Sequence, residues 1–202
     1  RHCARLVADS RSPEPLRQLR MRAAVCELLA AFVDAAEGGS DDDPCERFRR
    51  AIDADVIAMG EYLYLYWATR DPAMRRQMVG LSRAPLDSDY GPDSWEPVAV
   101  DGPVLAPGVP AAEDPPDLDL VWEQDCIEAP AMLKRGGWLY MFYGGAYNNG
   151  PQQIGVAASR DGIRFRRLLD GQPLLPPGPA GSWNASEAGH PFAFSDEAGR
   201  HH

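Results

Sequence analysis

The spacing of apolar and polar positions changes near residue 53. Upstream, Met21, Val25, Leu28, Leu29, Phe32 and Ala36 recur at helical spacing, from the N-cap signal Ser12-Pro13-Glu14 to the stop Gly38-Gly39. Ser40-Asp41-Asp42 reads as an acidic linker, and Asp43-Pro44-Cys45-Glu46 as the capping box of a second helix carrying Phe48 and Ala51. Residues 12–52 are thus expected to be mainly helix. Downstream the period falls to two: residues 62–67 (YLYLYW) and 138–143 (WLYMFY) suit buried strands, and Gly60, Gly136-Gly137 and Asp161-Gly162 suit hairpin turns.

The β part repeats itself. Ile52-Asp53-Ala54 stands before the first aromatic strand and Ile127-Glu128-Ala129-Pro130 before the second, the two acids 75 residues apart. Gln77-Met78-Val79-Gly80-Leu81-Ser82 is then matched by Gln152-Gln153-Ile154-Gly155-Val156-Ala157. Consecutive short strands repeated in this way suggest propeller blades. Residues 100–119, rich in Pro, Asp and Ala, read as a long surface loop, and residues 182–194 as the start of a further inner strand.

A length of 202 residues with 45% hydrophobic content supports one packed domain or slightly more. The formal charge of −10 speaks against nucleic acid as a partner, because phosphate-tracking surfaces cluster Lys and Arg; Lys134 is the only lysine, so nearly all the basic charge is Arg, which says little about chemistry. No apolar run is long enough to imply a membrane partner. Cys3, Cys26, Cys45 and Cys126 are too scattered for a metal pair and read as free thiols, which favours a cytoplasmic location. Both ends read as cut, however, so a secreted parent stays open.

Two carboxylates brought to one axis by neighbouring blades are the raw material of glycoside hydrolysis, which needs an acid for the leaving oxygen and a base for water. The alternative for each acid is an ordinary turn cap or solvent-facing charge. Asp53 in Ala51-Ile52-Asp53-Ala54-Asp55-Val56, Glu128 in Cys126-Ile127-Glu128-Ala129-Pro130, and the stretches Tyr147-Asn148-Asn149 and Gly189-His190-Pro191 resemble glycoside hydrolase family 43 over roughly residues 50–202.

The resemblance implies a five-bladed propeller, an inverting mechanism, Glu128 as general acid, and Asp53 as the acid that tunes its pKa. It places the base on an upstream blade outside this chain. Glu187, His190, Asn148 and Trp183 are the expected sugar-binding residues, and the late-blade histidine of that family also helps to hold a central ion or water. The residue reading itself calls for no cofactor and no metal. Glu123 and Asp125 read as rim charges, and Arg70-Asp71-Pro72 as a turn.

The expected organisation is a helical N-terminal segment, residues 1–50, followed by an incomplete β-propeller, residues 51–202, of about two and a half blades. Its substrate would be an arabinofuranosyl or xylosyl glycoside. Uncovered blade edges suggest self-association. Residues 16–52 are similar to the region leading into the DNA-binding part of AraC-type regulators, so a sugar-responsive regulator stands as one alternative and a non-catalytic carbohydrate-binding module as another.

Overall fold

A computed structural model describes residues 54–90, 92–98, 102–146, 150–195 and 199–202. The expected N-terminal helices, Asp53 and Asn148 lie outside the described residues. Among those described, the protein is mainly β. Its strands are β1 (Ala54–Met59), β2 (Tyr62–Arg70), β3 (Gln77–Pro85), β4 (Glu96–Pro97), β5 (Ile127–Arg135), β6 (Trp138–Gly145), β7 (Gln153–Ser159) and β8 (Arg166–Arg167). They form two four-stranded antiparallel meanders, β1-β2-β3-β4 and β5-β6-β7-β8. Neither sheet closes on itself, and the pair is a partial β-propeller.

The turns follow from their residues. Arg135 pairs with Trp138 across Gly136 and Gly137, whose φ values of +57° and +77° define a two-residue primed turn that only glycine enters freely. At the β7–β8 turn, Asp161 Oδ1 accepts the Ile163 and Arg164 N–H groups at 2.9 and 2.8 Å and the Ser159 hydroxyl at 2.9 Å. Asp71 likewise accepts the Arg75 and Arg76 N–H groups at 2.7 and 2.9 Å, so Arg70-Asp71-Pro72 opens a turn, as its sequence suggests.

The 75-residue repeat survives as register. Trp67 pairs with Gly80 and Tyr143 with Gly155; Ser82 pairs with Pro97 and Ala157 with Arg167; Val79 bridges Leu105 and Ile154 bridges Leu175. In each sheet an aromatic ring lies across the glycine opposite. A Cβ on Gly80 would stand 3.0 Å from the Trp67 ring, and one on Gly155 would stand 2.4 Å from Tyr143 Cζ.

Both faces of the first sheet are covered, which is why residues 62–67 are almost continuously apolar. Tyr64 and Tyr66 point into the core shared with Met132 and Met141 of the second sheet and with Phe165 just before β8, while Leu63 and Leu65 pack with Ala84 and Tyr90 on the other side. The sheets are also tied by polar contacts: Asp55 Oδ2 accepts the Met132 N–H at 2.6 Å, the Tyr66 hydroxyl donates to the Gly162 carbonyl at 2.6 Å, and Lys134 Nζ donates to the Ala58 carbonyl.

The expected loop over 100–119 is less superficial than its composition suggests. Val104 and Leu105 enter the core, and the rest is fastened by Arg167. This side chain donates from Nε and Nη2 to the two Glu123 oxygens at 2.8 and 2.9 Å, from Nη1 to Asp114 at 2.7 Å and the Val109 carbonyl at 3.1 Å, and from Nη2 to the Ala106 carbonyl at 2.8 Å. All five guanidinium donors are used. Glu123 also accepts the Tyr143 hydroxyl at 2.8 Å and the Gly108 N–H at 3.0 Å, and it is fully buried; it is not a rim charge. Burial would lower the Arg167 pKa, but Glu123 above all more than reverses this and holds it above its ordinary value.

The further inner strand expected over 182–194 does not form. The segment docks through the Ala188 N–H, which donates to the Gln152 carbonyl at 2.8 Å, and has no ladder partner until its end, where Phe194 and His202 exchange backbone hydrogen bonds and Ser195 bridges His201. His190, with φ +49°, and Pro191, which lacks an N–H, break strand geometry there. Ala193 nevertheless covers Ala131 and Leu133 on the free face of the second sheet. Among the described residues no helix is long and apolar enough to cross a membrane.

Candidate active site

Glu128 is the second residue of β5, and the motif around it creates an irregular strand. Glu128 pairs with Gly144, but the next pair is Ala131 with Phe142, so one extra residue is inserted between them. Ala129 takes φ +49°, and Pro130 has no N–H to give to the ladder. The Glu-Ala-Pro sequence is therefore a β-bulge at the start of an inner strand, a device that re-aims a side chain.

The re-aimed carboxylate is buried, with the whole residue only 1% exposed. Its Oε2 accepts Gln77 Nε2 at 2.8 Å and its Oε1 accepts Gln152 Nε2 at 2.6 Å. His190 Nε2 lies 3.4 Å from Oε1 on a side chain that is 58% exposed, at the mouth of the site. Gly144 lies beside the carboxylate: a Cβ there would stand in ordinary contact, 3.8 Å from Glu128 Cγ, Gln152 Nε2 and the His190 nitrogen.

Each glutamine is held by backbone. Gln77 opens β3, where its N–H donates to the Asp125 carbonyl at 2.9 Å and brings β3 alongside the start of β5. Gln152 lies flat over Gly189, where an added Cβ would fall 1.7 Å from Gln152 Oε1. The two buried acids near β5 thus differ in kind. Glu123 is tied to a guanidinium and fastens a loop, whereas the described partners of Glu128 are two neutral amides and an imidazole that faces solvent.

Of the residues expected from sequence, Glu128 and His190 come together. Glu187 is exposed, and it is not among the described partners of Glu128. Trp183 is 90% exposed on the C-terminal segment, away from any core cluster. Trp67 packs with the core against Gly80. The sequence reading missed Gln77 and Gln152 as site residues, although each begins one copy of the matched hexapeptide. As for the ion suggested by the resemblance, no three His, Cys, Asp or Glu side chains gather to hold a metal among the described residues.

No protein-family model and no curated protein sequence matches the chain. Solved structures do. The GH43_1 enzyme from Xanthomonas citri complexed with xylotriose matches with a TM-score of 0.50 and 22% identity over 74% of this chain and 38% of its own. RS223-β-xylosidase matches with a TM-score of 0.51 and 16% identity over 74% and 42%. An exo-β-1,3-galactanase from Clostridium thermocellum matches with 0.51 and 18% over 74% and 30%.

The fold is therefore GH43-like, shared with these hydrolases at low identity. The chain spans less than half the length of each of these three structures. Similarity to AraC-type regulators finds no support in these neighbours, and the residues that suggested it lie outside those described.

Proposed function

We propose that the protein is a glycosidase, or the catalytic part of one, acting on arabinofuranosyl or xylosyl glycosides with inversion. Glu128 gives its proton to the leaving oxygen as the glycosidic bond breaks. Water attacks the anomeric carbon from the opposite face and loses a proton to a base that is not among the residues assigned here. Asp53, in the position equivalent to Glu128 in the first repeat, raises the proton affinity of the acid by its negative charge. His190 stands at the mouth to meet a sugar hydroxyl. Among the neighbouring structures one is a complex with xylotriose and one a β-xylosidase, in keeping with a xylosyl substrate, while another is a galactanase.

The observation that carries this reading is the bulge that turns Glu128 into a buried site beside a solvent-facing histidine. Glu128→Gln keeps size and shape but cannot deliver a proton. Its turnover should collapse on unactivated xylosides or arabinosides and fall much less on activated aryl glycosides, which leave unaided. Equal loss on both substrates would refute the acid role. Asp53→Asn should move the alkaline limb of the pH–rate profile to lower pH.

A further inference from the structure

The two glutamines occupy equivalent places in the repeat, 75 residues apart, yet they converge on one carboxylate. Gln152 stands just before β7 of the sheet that carries Glu128, and Gln77 opens β3 of the other sheet. Both are buried, at 4% and 8% exposure, in an interior where an amide is costly to bury unless its hydrogen bonds are made. Each supplies an N–H to a different oxygen of the same group, which fixes the carboxylate plane. Donors of this kind favour the charged form of a carboxylic acid over the neutral form.

We propose that Gln77 and Gln152 are a repeat-derived pair of positioning residues that aim Glu128 and hold down its proton affinity, opposing Asp53. The proposal rests on the reading of Glu128 as the proton donor. A general acid needs a proton affinity near the working pH, and two amides that lower it are one side of the balance that sets it. Around Glu128 the described groups are Gln77 from β3, Gly144 from β6, Gln152 before β7 and His190 from the C-terminal segment. Of these only His190 has an ionisable side chain, and its ring is exposed.

The test is a carboxyl 13C NMR titration of the whole chain labelled in glutamate, with the Glu128 resonance identified by its loss in Glu128→Gln. Gln77→Leu and Gln152→Leu should each raise the Glu128 midpoint, by about one pH unit per lost donor. In activity, each should lower kcat more than it changes KM and move the alkaline limb to higher pH, opposite to Asp53→Asn. A residue that merely packs would not move that limb. If a leucine variant does not fold, Gly189→Ala gives the same test for Gln152, by pushing its amide away without replacing it, and Gln77→Asn gives it for Gln77, by shortening its reach. An unmoved midpoint, or one that moves for only one glutamine, overturns the paired clamp. If the midpoints move but turnover does not depend on Glu128, the clamp stands and the proton-donor reading falls.

Discussion

Replacing Arg167 by leucine should be among the most damaging single changes to stability. The guanidinium makes five hydrogen bonds, and the Arg167, Glu123 and Asp114 side chains have no solvent exposure. Leucine replaces much of the apolar stem but leaves two carboxylates buried without their cation and two carbonyls, of Ala106 and Val109, without their donor. Removing one partner of a buried ion pair costs about 3–5 kcal/mol, and the second carboxylate places this case at the upper end.

For a domain of this size such a loss corresponds to a fall in Tm of roughly 6–20 °C. Urea unfolding followed by tryptophan fluorescence measures it directly, and the midpoint should move with little change in slope. A companion, Glu123→Gln with Arg167→Leu, should recover part of the loss, because it removes one of the two stranded charges. A single Arg167→Leu loss below about 1 kcal/mol would refute the reasoning, since it would mean that solvent reaches the network.

Two further outcomes follow from the turns and glycine lanes. Burial pushes the Asp161 carboxyl up, but the Arg164 and Ile163 N–H groups and the Ser159 hydroxyl more than reverse this and hold it at about 2, against an ordinary 3.8. Its contribution is fully present above the ordinary value and is lost as pH falls through the folded one, so Asp161→Asn should flatten the stability–pH curve between about pH 4 and 2 in a denaturant series. Gly155→Ala puts a methyl 2.4 Å from Tyr143 Cζ and must displace the ring that reaches Glu123; a loss of about 1–3 kcal/mol in the same assay is expected, and a neutral result would mean that the ring is not confined.

Much of the β part was legible from sequence because its signals are local. Alternation placed β2 and β6, Gly60, Gly136-Gly137 and Asp161-Gly162 placed the turns, and the matched hexapeptides marked β3 and β7 as equivalent. The missed features are made by distant polar residues, which leave no periodic trace. Glu123 meets Arg167 from 44 positions away, and Gln77 meets Glu128 from 51. Asp55, which ties β1 to β5 through the Met132 N–H, was invisible for the same reason. The segment 182–194 misled because aromatic alternation reports apolar contact, not a ladder partner. It covers the second sheet through Ala193 but forms no strand.

The grip on Glu128 from both sheets also makes the site an alignment gauge. Strand positions come in steps of about 3.3 Å, longer than the slack in a hydrogen bond, so a slip of one residue at the seam would carry Gln77 out of reach while much of the greasy interior could still re-pack. On the proposed reading of Glu128 as proton donor, its alignment would then fail before the fold does. Mutations along the seam, far from any sugar, should therefore show first as lost turnover and only later as lost protein.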